Sequence, residues 1–324
     1  MCTAITYQTK GHYFGRNLDL EGSPGETVTI TPRNFPLAFR HAPPQNRHYA
    51  IIGMAHVAEG YPLYYDAVNE AGLAMAGLNF PHFACYHPQQ AGRENIAPFE
   101  LIPWVLGQCA TLDEARKLLQ RTNLLALDFS PQLPRTPLHW MIADRTGAIV
   151  VEPLQDGLRL RKNPVGVLTN APPFDFHLTN LAGYMRLTRE VPVNTFSTEL
   201  DLQPYSRGMG AMGLPGDPSS ASRFVRAAFT RLNAASGETE SESVSQFFHI
   251  LGSVEQQRGC VHLGGGAYEI TLYSCCCSME RGIYYYTTYE NRRITAVDLH
   301  REDLETDTLI AYPLRTTTDF DWQN

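Results

Sequence analysis

The sequence predicts an α+β fold in which two stacked antiparallel sheets are flanked by helices. Strand-like segments are concentrated at the two ends of the chain, and helical patterns are grouped between them. This order differs from the strand–helix alternation of a parallel sheet. The 324 residues, 43% hydrophobic and 18% charged, are enough for one large domain or two ordinary ones with a full core.

The N-terminal segment predicts a β-hairpin. Residues 2–8 alternate in polarity, residues 9–11 (Thr-Lys-Gly) have turn composition, and a second strand runs over about 12–18. If residue 8 pairs with residue 12, this register places Cys2 opposite Leu18. A shift of one residue would turn every side chain to the other face.

Cys2 has the features of an N-terminal nucleophile. If Met1 is removed, a thiol and an α-amine share one residue, and the amine can act as the base for the thiol. The amine titrates at roughly 7.7–8.0 and a cysteine at about 8.5, so both can work near neutrality. In the predicted register Arg16 lies diagonally from Cys2 on the same face, and Asp19 follows the strand end near the amine.

The other elements follow from local patterns. Further strands are predicted at Thr27 to Thr31, Tyr49 to His56, Leu63 to Val68, Leu73 to Asn79, His139 to Asp144, Ala148 to Glu152, Val165 to Thr169, Tyr268 to Cys277, Gly282 to Tyr289 and Arg293 to Leu299. Helices are predicted near Pro98, behind a capping box at Thr111–Glu114, over 174–188, behind an N-cap at Asp217, and behind a second capping box at Thr239–Glu242. Residues 190–216, rich in Pro and Gly, are expected to be irregular.

Composition and charge exclude several functional classes. A net charge of -7 without a basic run argues against nucleic-acid binding. No apolar stretch is long enough to span a bilayer, and the N-terminus lacks the pattern of a signal peptide. Seven cysteines, three of them consecutive at 275–277, favour a reducing cytoplasm over a disulfide framework. No zinc-type spacing occurs, so no metal or cofactor is expected.

Some motifs are misleading or weak when taken singly. Gly208 to Gly213 matches G-x-G-x-x-G, but it lacks the preceding strand and following helix of a dinucleotide site. Asn79 and Asn170 each end a strand before a Pro-containing turn, where an Asn is commonly a turn former. Their side chains or adjacent amides can also donate to a developing oxyanion. Arg223 flanks an apolar helix face, where it either extends to solvent or points a fixed charge into the sheet layer.

Taken together, the motifs resemble the choloylglycine hydrolase family of N-terminal-nucleophile hydrolases, and within it the bacterial bile salt hydrolase branch. The resemblance spans nearly the whole chain. It rests on MCT at the start, FGRNLD at 14–19, NEAGLAMAGLNFP at 69–81, VLTNAPPFDFH at 167–177, GLPGDPSSASRFVR at 213–226, FFHILGSV at 247–254 and YYYTTYEN at 284–291. The chain departs from many relatives at LEGSPGE after FGRNLD, where they carry an aromatic residue in the first wall of the pocket.

The resemblance implies a four-layer αββα sandwich, a single domain over 1–324 and hydrolysis of the amide bond of glycine- or taurine-conjugated bile acids through a thioester. Cys2 would be the nucleophile, Arg16 would hold the thiol reactive and Asp19 would orient the amine. Asn79 and Asn170 match the family's oxyanion and substrate-orienting positions, and Arg223 its supporting arginine.

The resemblance also implies a steroid pocket and an assembly. The pocket-lining positions by loop placement are Leu20, Met54, Ala58, Tyr61, Phe129, Leu133 and Leu138. The segment at about 190–216 resembles the family's assembly loop, so a homotetramer is expected, and 205–208 (Tyr-Ser-Arg-Gly) resembles the variant associated with glycine conjugates.

Two alternatives remain open. The first is penicillin V acylase, the other branch of the family, which shares the chemistry but often has Tyr at the position of Asn79. The second is a non-catalytic binding protein that kept the fold. The complete set of Cys2, Arg16, Asp19, Asn79, Asn170 and Arg223 argues against the second alternative.

Overall fold

The computed structural model describes residues 1–324 and contains eighteen strands and five α-helices. The strands are β1 (Cys2–Gln8), β2 (His12–Leu20), β3 (Thr27–Thr31), β4 (Ile51–Ala58), β5 (Tyr61–Asn69), β6 (Ala74–Asn79), β7 (Glu94–Ile96), β8 (Thr122–Leu124), β9 (Leu138–Asp144), β10 (Gly147–Leu154), β11 (Gly157–Lys162), β12 (Val167–Leu168), β13 (His262–Gly264), β14 (Ala267–Tyr268), β15 (Ile270–Ser278), β16 (Ile283–Thr288), β17 (Thr295–Asp298) and β18 (Ile310–Pro313). The helices are α1 (Leu101–Gln108), α2 (Leu112–Gln120), α3 (Phe174–Leu181), α4 (Ser220–Asn233) and α5 (Glu240–Gly252).

Two large antiparallel sheets form the centre of the molecule. The six-stranded sheet has the order β12-β1-β2-β15-β16-β17, and the eight-stranded sheet has the order β11-β10-β9-β6-β5-β4-β3-β18. The ends of the chain build the six-stranded sheet, because β1 pairs with β2, and β2 pairs in turn with β15 near the C-terminus. The predicted α+β class and the stacking of two antiparallel sheets are confirmed.

Helices cover the outer face of each sheet. Helices α4 and α5 pack on the six-stranded sheet, and α1 and α2 pack on the eight-stranded sheet. Apolar residues of α1 and α2 form a cluster of 23 buried residues with the outer face of their sheet. A larger cluster of 41 buried residues joins the inner faces of both sheets to α4 and α5. These layers form the expected αββα sandwich. None of the helices combines the length and apolar character needed to cross a membrane.

Several predicted element boundaries differ from those observed. The helix predicted from Asp217 begins two residues later behind Ser219, because Asp217 accepts the Ser219 N–H at 3.0 Å and so lies ahead of the cap. At α2, Thr111 caps the helix, but Glu114 accepts the N–H of Ala110 instead of closing the predicted box. The helix predicted over 174–188 ends at Leu181 and continues only as a 3₁₀ turn.

Three further local predictions are confirmed, and six strands were not predicted. The Thr239–Glu242 capping box is present at α5. Residues 190–216 are irregular apart from one 3₁₀ turn at Met209–Ala211. The run 275–277 is buried within β15. The missed strands are mostly short or exposed, so their sequences lack a strong apolar alternation; they are β7, β8, β11, β13, β14 and β18.

Candidate active site

The N-terminal hairpin brings Cys2 to the layer between the two sheets. Its register pairs Cys2 with Leu18, as the sequence predicts. The Cys2 side chain is buried. Main-chain bonds from Met1 N to Asp19 O (2.9 Å) and from Asp19 N to Met1 O (3.0 Å) extend the ladder one residue beyond it. A regular sheet therefore fixes the position of Cys2.

Alternation along β1 and β2 separates the surroundings of Cys2 into two faces. Cys2 and Arg16 face the eight-stranded sheet, and both line one cavity there. Asp19 points the opposite way, on the same face as Asn17, whose Nδ2 donates to Leu251 O of α5 at 3.0 Å. A substrate would thus reach the thiol from the face that lies between the two sheets. Asp19, near the strand end, lies on the opposite face, which the helices cover.

Arg16 is fully buried beside the thiol. Its Nη1 donates to Gly77 O (2.5 Å) and Tyr65 O (3.2 Å), and its Nε donates to Asn17 O (3.3 Å). Burial lowers the pKa of Arg16, but the acidic groups around it, Cys2 first, outweigh burial and raise that pKa. The guanidinium is a fixed cation held by carbonyls, and such a cation favours the thiolate form of a neighbouring cysteine.

Asn170 binds the main-chain nitrogen of Cys2. Its Oδ1 accepts the Cys2 N–H at 2.8 Å and a bond from Arg223 Nη2 at 2.7 Å. Its Nδ2 donates to Asn79 O at 2.7 Å. The Asn170 amide is therefore engaged on both sides with fixed groups, which suits it to orienting the nitrogen of Cys2.

Arg223 reaches Cys2 from α4, on the outer face of the six-stranded sheet. Its Nη1 donates to Cys2 O (2.5 Å) and to Thr3 Oγ1 (2.7 Å), and its Nε donates to Pro218 O (2.9 Å). Burial lowers the pKa of this fully buried guanidinium, opposed by the charges of Asp19 and Cys2. Of the two environments predicted for Arg223, the buried one is observed.

Asp19 has a free oxygen near the strand end. Its Oδ1 accepts the Thr271 hydroxyl at 2.6 Å, whereas Oδ2 is buried without a partner. Burial raises the pKa of the Asp19 carboxyl, and the charges of Arg223 and the terminal amine oppose that rise. The amine present is that of Met1, which forms an ion pair with Glu269. Burial lowers the pKa of this amine.

A cavity of about 340 Å³ opens beside the thiol. Cys2, Arg16 and Asn79 contribute to its wall, which is otherwise largely apolar. The Asn79 Oδ1 is buried without a hydrogen-bond partner. Asn170 bonds only the main-chain carbonyl of Asn79. The polar side chain of Asn79 at the cavity wall is therefore left available to a ligand.

Four of the seven expected pocket residues line this cavity, and three do not. The lining residues are Leu20, Phe129, Leu133 and Leu138. The remaining three are Met54, Ala58 and Tyr61, and they lie outside the lining. Met54 is fully buried in the core between the sheets, and Ala58 pairs with Tyr61 where β4 turns into β5. Tyr61 packs edge-on against Phe99 with ring centroids 6.3 Å apart, so it supports the wall from behind.

Sequence reasoning missed lining residues and a supporting layer. The additional lining residues include Pro24, His56, Tyr65, Phe99, Arg135 and Thr136. Behind Asn170, His139 Nε2 lies 2.9 Å from Thr169 O, and His177 Nε2 lies 2.9 Å from Asn170 O. The two imidazoles thus bond the carbonyls on both sides of the Asn170 nitrogen. His177 lies in the motif used for the resemblance, but its spacing gave no sign of this contact.

Asp66 was also missed, although a signal was present. It is the one charged residue in the predicted strand Leu63 to Val68, among tyrosines and apolar residues. A charged residue in a buried strand is rarely unpaired. The side chain is buried and accepts bonds from Tyr273 (2.5 Å) and Tyr284 (2.7 Å) of the other sheet.

Comparison with known protein families gives a match over nearly the whole chain. The family model described as linear amide C–N hydrolases, choloylglycine hydrolase family, matches residues 2–312. A protein of Lactiplantibacillus plantarum named bile salt hydrolase/transferase is 56% identical over 320 residues, 99% of each chain. A protein of Clostridium perfringens with the same name is 38% identical over 98% of each chain.

Solved structures give the same picture of the fold. A variant of conjugated bile acid hydrolase from Clostridium perfringens superposes with a TM-score of 0.92 at 36% identity, covering 100% of both chains. Penicillin V acylase from Agrobacterium tumefaciens has a TM-score of 0.76 at 18% identity, covering 99% of this chain and 100% of the acylase. The second likeness concerns the fold alone.

Proposed function

The chain belongs to the choloylglycine hydrolase family of linear amide C–N hydrolases, and from this membership we propose that it hydrolyses glycine- or taurine-conjugated bile acids with Cys2 as nucleophile. One observation carries the assignment of the nucleophile. The main-chain nitrogen of Cys2 is bound by Asn170 at 2.8 Å, while its thiol shares a cavity with the buried cation Arg16. A cysteine whose nitrogen is held by a hydrogen bond and whose thiol lies in a cavity with a cation has the arrangement that an N-terminal nucleophile needs.

Removal of Met1 would complete this arrangement. The Cys2 nitrogen then becomes an α-amine while Asn170 Oδ1 remains an acceptor for it. The free Asp19 Oδ2, buried near the strand end, supplies an anion for the ammonium form. The ion pair between the Met1 amine and Glu269 is lost when Met1 is removed.

Catalysis would proceed in two halves. The Cys2 thiol transfers its proton to the α-amine, and sulfur attacks the amide carbonyl carbon to form a tetrahedral oxyanion. The ammonium then protonates the leaving nitrogen, so that the C–N bond breaks, glycine or taurine departs and a thioester remains. Water next attacks the thioester with the amine as base, releasing the bile acid and regenerating the thiol.

The oxyanion requires donors that are not already committed. Asn170 Nδ2 is bonded to Asn79 O, so Asn79, whose side-chain amide lines the cavity, is the better placed of the two predicted donors. A removed oxyanion donor typically costs about 100–1000-fold in rate. Asn170 acts in this scheme by orienting the amine.

The cavity suits a steroid amide. Its wall combines apolar side chains, including Leu20, Phe129, Leu133 and Leu138, with a few polar groups near Cys2. Ligand pockets of roughly 300–1,000 Å³ with such a lining bind amphipathic molecules. The scissile bond would lie beside Cys2, with the steroid along the apolar wall.

The nucleophile is tested by mass spectrometry and substitution. Purified enzyme should lack Met1, and an active-site-directed thiol inhibitor should add one mass increment on the N-terminal peptide. Cys260 is exposed and is itself open to alkylation, so a Cys260→Ser background removes this competing thiol. Cys2→Ser should lose glycocholate hydrolysis and Cys260→Ser should keep it. Full activity in protein that retains Met1 would refute the amine as base.

Penicillin V acylase activity is the alternative within the family. The acylase neighbour shares the fold at 18% identity, whereas the relatives named bile salt hydrolase reach 56%. Asn79 also matches the bile salt hydrolase pattern. Turnover of glycocholate, taurocholate and penicillin V should favour a bile salt; faster hydrolysis of penicillin V would reverse the assignment.

Acyl transfer to an amine is a second candidate activity. The name of the Lactiplantibacillus plantarum relative includes a transferase. A thioester on Cys2 can be attacked by an amino acid amine in place of water, with the amide forming as the C–S bond breaks. Incubation with cholate conjugates and excess free amino acid should yield new conjugates; release of cholate alone would exclude transfer.

We also propose a cytoplasmic homotetramer assembled through the segment 190–216. This segment exposes large apolar side chains, which commonly mark protein contacts; they include Val191, Val193, Phe196, Tyr205 and Met212. All seven cysteines are free thiols, which suits a reducing compartment. Light scattering coupled to gel filtration should give four times 36.3 kDa; a monomer mass would exclude the assembly.

A further inference from the structure

We propose that Asp66 is a positioning residue for the hydrolysis: from outside the substrate cavity, its carboxylate balances the charge of Arg16 and limits the field that Arg16 exerts on the Cys2 thiol. The inference rests on the proposed function of Cys2 and Arg16. Asp66 does not line the cavity, whereas Cys2 and Arg16 do. Asp66 therefore does not touch the substrate. Arg16 Nη1 bonds the carbonyls of Tyr65 and Gly77, which are the chain neighbours of the cross-strand pair Asp66–Ala76, so the two charges lie close together.

The carboxylate of Asp66 is held by donors from the opposite sheet. Asp66 lies on β5, 1% exposed, and its Oδ2 accepts the Tyr273 hydroxyl at 2.5 Å. Its Oδ1 accepts the Tyr284 hydroxyl at 2.7 Å and the Cys275 thiol at 3.3 Å. Both oxygens are thus acceptors, and a proton on either would compete with a donor already in place.

Burial and the neighbouring groups act on the pKa of Asp66 in opposite directions. Burial raises the pKa of Asp66, while the charge of Arg16 and then the donors from Tyr273, Tyr284 and Cys275 oppose that rise. Three donors directed at a single carboxyl favour its charged form. We therefore assign the negative charge to Asp66 on the basis of its hydrogen bonds.

Arg16 needs a balancing anion because its hydrogen bonds reach only neutral groups. Its acceptors are the main-chain carbonyls of Tyr65, Gly77 and Asn17, so no carboxylate bonds to the guanidinium. A buried charge without an opposite charge is costly. The position of Arg16 is fixed by carbonyls, whereas its charge is balanced through space.

The groups that face this pair are few. The titratable or charged groups that act on Arg16 are Cys2, Tyr273, Asp66 and Cys275, and Arg16 also acts on Asp19, Tyr65 and the N-terminal amine. Those that act on or respond to Asp66 are Arg16, Tyr273, Tyr284, Cys275 and Cys277. Among carboxylates, Asp66 has the larger effect on Arg16, because Asp19 lies on the other face of the hairpin. Tyrosines and thiols buried beside Asp66 have raised pKa values and stay neutral.

Asp66→Asn tests this balance, because it keeps the shape of the side chain and removes the charge. The field of Arg16 on the thiol is then unopposed, so the thiolate persists to lower pH. Alkylation of Cys2 by iodoacetamide, followed on the N-terminal peptide of protein lacking Met1, should shift by about one pH unit toward acid. This corresponds to about tenfold faster alkylation on the acidic limb.

The matched control is Cys275→Ser, which perturbs the same cluster but keeps a donor to Asp66 and leaves the charge unchanged. Its alkylation profile should coincide with that of the parent. A profile for folded Asp66→Asn that coincides with the parent, or moves toward alkaline pH, would overturn the proposal. Alkylation requires no bile salt turnover, so absence of hydrolysis would refute the proposed function without removing this readout.

A second comparison covers the case in which Asp66→Asn fails to fold. If Asp66 balances Arg16, removing both charges in Arg16→Gln/Asp66→Asn should restore a folded protein with a cooperative melting transition that Asp66→Asn lacks. A double variant no more stable than Asp66→Asn would show that the two residues are not coupled, and would overturn the proposal.

Discussion

The two helical layers of the sandwich differ in how they contact their sheets. Helices α1 and α2 pack on the eight-stranded sheet through an apolar cluster of 23 buried residues. Buried polar groups in that layer serve helix ends: Asn69 Nδ2, for example, donates to Leu106 O (2.8 Å) and Cys109 O (2.7 Å) at the end of α1. On the other side, α4 sends Arg223 into the six-stranded sheet to bond Cys2 O at 2.5 Å.

The difference teaches that the two layers serve separate purposes. Polar bonds that pass from a helix to the strand bearing Cys2 couple the α4 layer to the chemistry. Apolar contacts are non-directional, so the α1 layer contributes stability and does not select one geometry at the site. Substitutions of α4 side chains that bond the strand bearing Cys2 should therefore alter kinetics, and substitutions of buried apolar residues in the α1 layer should alter stability alone.

Arg223→Ala should have the largest effect. It leaves Cys2 O without its guanidinium donor and removes one of two donors to Asn170 Oδ1, so the nucleophile and its amine lose their fixed orientation. We expect kcat/KM for glycocholate to fall about 1,000-fold, or about 4 kcal/mol. Arg226→Ala, on the same helix with contacts to Ser253 and Pro215 carbonyls, is the control and should stay near the parent. A loss below tenfold in folded Arg223→Ala would contradict the role of this layer.

Leu106→Ala should have the opposite character. Leu106 is fully buried in the α1 layer, and truncation leaves a cavity beneath the helix. The free energy of unfolding should fall by about 3 kcal/mol, with kcat/KM unchanged below the new melting temperature. Leu232→Ala on α4 is the control, because Leu232 is 61% exposed and should change stability by less than about 0.5 kcal/mol. A kinetic defect in Leu106→Ala would mean that the two layers are not independent.

How far the sequence predicts the site depends on the separation of the residues along the chain. The pairing of Cys2 with Leu18 was correct because a short turn and strict alternation fix the register of a hairpin. No local pattern connects Cys2 to Asn170 or Arg223, which lie 168 and 221 residues away, and only the family resemblance linked them.

Contacts between layers were the least predictable. Met54 was expected in the pocket, yet it is buried between the sheets, because position along a strand does not tell which neighbour from the other sheet covers it. Asp66 and His177 were missed for the same reason: their partners are in other elements. The fold class was predictable from the order of elements, but the packing between sheets depends on tertiary contacts.

His177 extends the comparison to acid stability, with the smallest expected effect. It lies on α3, stacked on Phe224 of α4, and burial lowers its pKa to about 4 from an ordinary value of 6.5. Because the folded state binds this proton less readily than the unfolded chain, stability is full above about pH 6.5 and falls as the pH drops toward 4. Unfolding free energy should decrease by about 2 kcal/mol between pH 7 and pH 5 from this residue. His177→Gln, which keeps a donor for Asn170 O, should reduce that decrease by the same amount. His249→Gln, exposed on α5, should leave it unchanged. An unchanged pH dependence in urea titrations of His177→Gln would show that His177 is not the group that weakens this side of the molecule in acid.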